Sequence, residues 1–206
     1  MIAGIVLSGG ASTRMGQPKA LLPTGVDGET FVGRLVRTFR AAGIDDLVVV
    51  TRPGLDVDRA LAGLDPPPRV VENTRPDRGQ LSSLLTGLAA VDRPGLEAVM
   101  VTIVDQPLVS ASTLSALVAA YRRHRGPIVR PVRGEAHGHP VIFDRALFEE
   151  LRGADPARGA KMVLRAHERE ILAVDVDDAG AFIDVDSPDD YRRVFGRPPP
   201  GLDPPL

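Results

Sequence analysis

The stretch Ser8-Gly9-Gly10-Ala11-Ser12-Thr13-Arg14-Met15-Gly16-Gln17-Pro18-Lys19 packs three glycines, three hydroxyls and two cations into twelve residues. Glycines let backbone N–H groups approach a ligand closely and form a concave anion site. The Ser8, Ser12 and Thr13 hydroxyls add donors, and Arg14 and Lys19 add positive charge. That combination is a cradle for a polyphosphate. No Gly-Lys-Ser/Thr closes it, so it is not a Walker A loop, and it lacks the G-x-G-x-x-G dinucleotide fingerprint. Lys19 stands out because the chain has 25 Lys+Arg, of which only Lys19 and Lys161 are lysines. An ammonium is a compact, mobile charge, whereas a guanidinium is a planar fork. A lysine kept where arginine is the default marks a place where the point charge is preferred.

Three further places carry polar residues beside apolar runs. Asp105-Gln106-Pro107-Leu108 follows the apolar run Ala98–Val104. An aspartate there can hold Mg²⁺, which takes one or two carboxylates plus substrate phosphates; it can equally serve a Pro-stiffened turn. Asp184 and Asp186 flank Val185. If Phe182–Val185 is a strand, both carboxylates share one face and call for a cation. Asp186 can instead cap the next helix, which leaves Asp184 the stronger metal ligand. Asn73, Gln80, Ser82 and Ser83 lead a helix, where they could read a base edge or simply cap. Of His124, His137, His139 and His167, none has metal-ligand spacing; His139 is a candidate acceptor contact.

The elements that must position these groups alternate. Ile2–Leu7, Leu47–Thr51, Val70-Val71 and Ala98–Val104 have strand length and composition. Between them lie helical segments: Phe31–Ala42 with Gly43 as its stop, Val57–Leu64, Leu81–Ala90, then Ser112–His124. The pattern then changes. Ile128–Val132 and His139–Phe143 suggest a hairpin or a strand pair near an edge. Ala146–Leu151 and Gly159–His167 are helical, and Ile171–Val176 and Phe182–Val185 are strands. Ser187-Pro188-Asp189-Asp190 starts a last helix with Ser as N-cap, Pro at N1 and acids in the first turn. The expected fold is α/β: one Rossmann-like domain over residues 1–195, a mainly parallel sheet with helices on both faces and a small β-hairpin insertion. Residues 196–206 hold five Pro and two Gly, so a disordered tail that affects neither stability nor activity is expected. Ligands of such a fold sit outside the carboxyl ends of the strands, where the four places above lie.

Composition excludes several classes. With 206 residues the chain suits one domain, and with no Cys it has no disulfides, thiolate metal site or cysteine nucleophile. A net charge of -2 and 4% aromatics argue against nucleic-acid binding. No apolar run approaches the roughly 18 residues of a membrane span, and no basic n-region precedes Ile2, so a cytoplasmic protein without membrane contact is expected.

From Ile2 to about Phe195 the chain resembles the MobA/MocA-like nucleotidyltransferases of molybdenum cofactor maturation. The resemblance rests on L-S-G-G-A-S-T-R-M-G-Q-P-K at Leu7–Lys19, V-D-Q-P-L at Val104–Leu108 and D-V-D-S-P-D-D-Y at Asp184–Tyr191. G-Q-L-S-S-L at Gly79–Leu84 and G-H-P-V-I-F at Gly138–Phe143 are similar to the cytidylyl branch; L-S-G-G is closer to the guanylyl branch. The resemblance implies Mg²⁺-dependent transfer of a nucleotide from NTP, CTP ahead of GTP, to molybdopterin, with release of pyrophosphate. It implies Leu7, Ser8, Gly9, Gly10, Ser12, Arg14 and Lys19 around the triphosphate and Asp105 with Asp184 or Asp186 on the metal. Arg14, Lys19 and Asp105 would carry catalysis. A recipient molybdoenzyme is a possible partner. The rivals are a sugar- or polyol-phosphate nucleotidyltransferase and a non-catalytic cofactor chaperone for a molybdoenzyme. The set Lys19, Asp105, Asp184 argues against the chaperone.

Overall fold

The computed structural model describes residues 1–25 and 28–201. Four strands run parallel at its centre and one side: β1 (Ile2–Leu7), β2 (Leu47–Thr51), β3 (Arg69–Glu72) and β4 (Ala98–Ile103). The other side adds β5 (Ile128–Arg133), β6 (Ala136–His137), β7 (Val141–Asp144) and β8 (Ile171–Asp175). The order is β3-β2-β1-β4-β7-β5-β6, with β8 parallel to β5.

Residue alternation explains the two-sided core. On β1, Val6 packs on one face and Ile5 and Leu7 on the other. The first face is covered by α1 (Phe31–Ala41), α4 (Ala111–His124) and α7 (Pro188–Phe195), through Phe31, Leu35, Phe39, Leu114, Leu117 and Tyr191. The second is covered by α3 (Gln80–Val91), α5 (Phe148–Gly153) and α6 (Lys161–Ala166), through Leu84, Leu88, Leu151 and Val163. Each such side chain contributes roughly 1.5–3 kcal/mol when fully buried. A short helix α2 (Asp58–Leu61) precedes β3. Caps fall where hydroxyls allow: Thr30 accepts from the Gly33 N–H, and Ser187 and Asp190 form a reciprocal capping box. α4 is capped by Ser110 and so begins at Ala111, just ahead of the expected start at Ser112. No helix among the described residues is long and apolar enough to cross a membrane.

Three expectations are corrected. First, residues 139–143 do not lie near an edge. β7 is inserted between β4 and β5, antiparallel to both, with Val101 opposite Val141 and Ile128 opposite Phe143. Its full burial explains its unbroken Val-Ile-Phe run. The hairpin at the edge is β5–β6, where Val132 faces His137. Second, Phe182–Val185 is not a strand. Ala179–Phe182 is a 3-10 turn, and the chain continues without a ladder because β7 already occupies the side of β4. Buried Ala181 and Val185 pin it to the core, and the Val185 N–H donates to the Asp105 carbonyl at 2.8 Å. The face-sharing argument for Asp184 and Asp186 therefore fails, although the segment still arrives beside Asp105. Third, the described part of the tail lies on the body. Pro199 is buried, and Gln17 Nε2 donates to the Pro200 carbonyl at 2.9 Å. Positions 202–206 of that tail lie outside the described residues.

Candidate active site

The carboxyl ends of β2, β1 and β4 open onto a cavity of about 620 Å³. Leu7, Gly9, Gly10 and Ala11 form one wall, Gly79, Gln80 and Ser83 another, and Asp105 closes one end. The glycine loop follows β1 directly. Gly9 is favoured by close approach: a Cβ there would sit a tight 3.2 Å from the Thr51 carbonyl oxygen. Gly16 and Ser12 both have positive φ, 75° and 52°, so the loop doubles back toward Lys19. The Lys19 N–H donates to Ser12 Oγ at 3.2 Å, which fixes that return.

Lys19 is the hub. Its side chain is only 8% exposed, and its Nζ lies 3.0 Å from Asp105 Oδ2 and 2.5 Å from Asp186 Oδ1. Arg14 Nη2 reaches the other oxygen of Asp186 at 2.8 Å. A buried ammonium is tolerated because two carboxylates face it. Burial pushes the Asp105 carboxyl above the usual carboxylate range, against the pull of Lys19; Asp186 and Asp184 add repulsion. The Lys19 hydrogen bond holds the Asp186 carboxyl below its usual value, and Arg14 helps. Asp184 is set apart: it accepts from Gln106 Nε2 at 3.0 Å. Gln106, buried, also accepts from the His139 N–H at 3.2 Å, so one amide ties the Asp105 turn to the start of β7. Sequence reasoning passed over Gln106; its place next to Asp105 was the available signal.

The expected nucleotide contacts divide. Leu7, Gly9, Gly10, Gln80, Ser83 and Asp105 line the cavity. Ser8 is buried and its hydroxyl donates to the Val50 carbonyl at 2.8 Å, so it ties β1 to β2. Asn73 and Ser82 are engaged with each other: Asn73 Nδ2 donates to Ser82 Oγ at 2.8 Å and to Ser83 Oγ at 3.0 Å. They brace the approach to α3 rather than present free groups. Arg52, missed in the sequence, lines the cavity on the β2 side.

A second cavity of about 450 Å³ adjoins the first and shares Leu7, Gly79, Gln80 and Ile103 with it. Val141, Phe143, Leu84 and Leu164 make it apolar, and His139, Arg158 and Lys161 supply polar groups. Burial lowers the affinity of His139 for a proton. Thus His139 stands apart from the Lys19 hub, in the neighbouring chamber.

Asp105, Asp184 and Asp186 do not gather as one metal shell. Among the described residues no three His, Cys, Asp or Glu side chains converge as a metal cage. Lys19 stands between Asp105 and Asp186, and Gln106 holds Asp184. The donors nevertheless fit a hard divalent cation. They are carboxylate oxygens, and three negative charges face two cations, Lys19 and Arg14. Mg²⁺ commonly completes its shell from substrate phosphates and water.

Residues 4–171 match the model of the MobA-like NTP transferase domain. The chain belongs to that family. Among its relatives is the nicotine blue oxidoreductase of Paenarthrobacter nicotinovorans, 30% identical, the match covering 94% of this chain and 96% of the relative. Another is the molybdenum cofactor guanylyltransferase of Xanthomonas euvesicatoria pv. vesicatoria, 28% identical over 95% of each. The fold is also similar to the solved structure of Rv0371c from Mycobacterium tuberculosis in complex with manganese, with a TM-score of 0.71 and 30% identity over 95% of this chain and 98% of that one. As a member of the MobA-like family, the chain is a nucleotidyltransferase by kinship.

Proposed function

We propose that the protein transfers a nucleotide from CTP or GTP to the phosphate of molybdopterin and releases pyrophosphate. The observation that carries this reading is the Lys19 hub, which brings Asp105 and Asp186 together from sequence distances of 86 and 167 residues at the end of a nucleotide-sized cavity. The Xanthomonas relative named for guanylyl transfer supports the acceptor and GTP. The segments Gly79–Leu84 and Gly138–Phe143 support CTP.

In this reading the triphosphate lies along Gly9 and Gly10, whose N–H groups donate to it with no side chain in the way. An oxygen of the acceptor phosphate attacks the α-phosphorus, the bond to the β-phosphate oxygen breaks, and pyrophosphate leaves. A phosphate monoester is already ionised near neutral pH, so no general base is needed. The chain's work is positioning and charge stabilisation. Lys19 and Arg14, held in place by Asp186, neutralise the departing pyrophosphate. Mg²⁺ bound through Asp105 would screen the charge between the two anions. The acceptor occupies the second cavity, with His139 as an uncharged contact.

The test is pyrophosphate release from each of four NTPs, in Mg²⁺ buffer, with and without molybdopterin. Release that depends on molybdopterin and on CTP or GTP is expected. Release driven instead by a sugar or polyol phosphate would replace the acceptor. Binding of molybdopterin with no turnover of any NTP would identify a carrier.

A further inference from the structure

We propose that Arg52 selects the nucleobase, and that it does so by requiring two adjacent hydrogen-bond acceptors on the base edge. The inference rests on the nucleotidyl-transfer reading above and deepens it.

The topology decides which end of the cavity receives the base. β1 lies between β4 and β2, so its glycine loop is flanked by Asp105 at the end of β4 and by Arg52 at the end of β2. Lys19 and Asp105 place the phosphates on the β4 side. A nucleotide running along the loop therefore carries its base toward β2, where Arg52 and the Pro76–Asp77 turn line the same cavity.

Arg52 is held there with unused donors. Its Nε is buried with no hydrogen-bond partner, and its one internal contact is a long 3.5 Å bond from Nη1 to the Pro53 carbonyl. Among the described residues no carboxylate lies within ion-pair distance of it, although most arginines of the chain that have one are on the surface. The side chain is half-buried, and among the described residues no group of the chain takes a hydrogen bond from Nη2, so the terminal donors are left for a ligand in the cavity. The neighbouring Asp77 does not compete, being paired with Arg75 at 3.4 Å.

A guanidinium offers parallel N–H donors and no acceptor. Guanine meets that fork with O6 and N7, and cytosine with O2 and N3. Adenine sets an amino donor beside N7 and beside N1, and uracil interposes the N3–H donor between its two carbonyls. The fork thus accepts G and C and leaves a donor against a donor with A and U. One residue then accounts for a site that tolerates either of the two nucleotides proposed above and rejects the other two.

The decisive experiment compares the parent with Arg52→Gln and Arg52→Lys, measuring binding of each of the four NTPs in Mg²⁺ buffer without acceptor, and pyrophosphate release with molybdopterin. Glutamine matches the N7 and amino pair of adenine, so Arg52→Gln should cut the preference for GTP or CTP over ATP by roughly 5- to 140-fold. Arg52→Lys keeps the charge and loses the fork, so it should lose the same selectivity with little change in average affinity. Equal weakening of all four nucleotides by Arg52→Gln, with rescue by Arg52→Lys, would make Arg52 a phosphate contact and overturn the proposal. Unchanged selectivity in both folded variants would overturn it too. If the parent itself binds none of the four NTPs, the nucleotidyl-transfer reading falls, and this proposal with it.

Discussion

The two chambers at the carboxyl edge differ in how they hold positive charge. Beside the parallel strands, Lys19 is buried against two carboxylates, and Arg14 completes the network. Beside antiparallel β7, Lys161 is exposed, has no ion-pair partner among the described residues, and stands over an apolar floor of Val141 and Phe143. The first arrangement fixes charges in advance, which suits a site that must stabilise charge as a bond breaks. The second leaves a cation free over an apolar surface, which suits recognition by shape. Breaking the first should therefore cost turnover, and breaking the second should cost acceptor affinity.

The largest effect is expected at Lys19. Lys19→Ala should lower kcat by about 10²–10³-fold, the scale of one preorganised electrostatic group. Lys19→Arg should also lower kcat more than it raises KM for NTP, because a planar fork cannot occupy the point between Asp105 and Asp186 as an ammonium does. Steady-state kinetics check this; unchanged kcat and KM in Lys19→Arg would show that the point charge is not used. In the other chamber, Lys161→Ala should raise KM for the acceptor and leave kcat within a few-fold.

Asp105 and Asp186 share one lysine, yet they should respond oppositely to removal of charge. The folded-state pKa of Asp105 is raised, so its contribution favours the fold below the unfolded pKa of 3.8 and is lost as pH rises through the folded value. At neutral pH its ionised form is a burden, and Asp105→Asn should keep or slightly raise Tm while removing most turnover. Asp186 is shifted down, so its contribution is present above 3.8 and is lost as pH falls through the folded value. Asp186→Asn should lower Tm at pH 7, and the deficit should shrink toward pH 3. Melting curves of both variants across that range decide it; parallel shifts would mean that burial does not distinguish them.

How much of this could be read from the sequence follows the same division. On the parallel side every strand was visible as an apolar run with polar residues just beyond it, so Lys19, Arg14 and Asp105 could be picked out as candidates from position and type, and the structure brings them together. The pairing of Lys19 with Asp186 was not, because it joins groups 167 residues apart. On the antiparallel side periodicity cannot tell a central strand from an edge one, and β7 was placed at the edge. Asp184-Val185-Asp186 imitated a strand because alternation also arises where a loop pins one apolar residue into a core. For the described part of the Pro-rich tail a related reason holds: composition forbids regular packing but does not forbid docking, and Pro199 is buried.

Truncation after Gly196 is the next smaller effect. It removes the Pro200 carbonyl that Gln17 bonds to and the buried Pro199, and should lower stability by about 1–2 kcal/mol. Because Gln17 belongs to the glycine loop, KM for NTP should rise while KM for the acceptor stays. Equal melting of the full and truncated chains would show that the contact carries no energy.

The smallest effect belongs to the second chamber's outer wall. α6 leaves the cavity at Lys161 and ends at Ala166, followed by His167, whose ring donates from Nε2 to Glu150 on α5 at 2.7 Å and from Nδ1 to Glu170 at 2.8 Å. Both nitrogens can donate only in the imidazolium, and the Glu150 hydrogen bond, with that of Glu170, raises its pKa above 6.5. A raised histidine contributes stability that is complete below 6.5 and is lost as pH rises through the folded value. The Lys19 hub has no histidine, so the same pH change should leave the donor side untouched. The expected difference in stability between the parent and His167→Gln lies within the roughly 0–1 kcal/mol of surface ion pairs. It should be largest near pH 6 and vanish by pH 9, with KM for the acceptor, not for NTP, following it. A Tm difference that is constant from pH 6 to 9 would show that the ring packs there without its charge, and the two chambers would then share one insensitivity to pH.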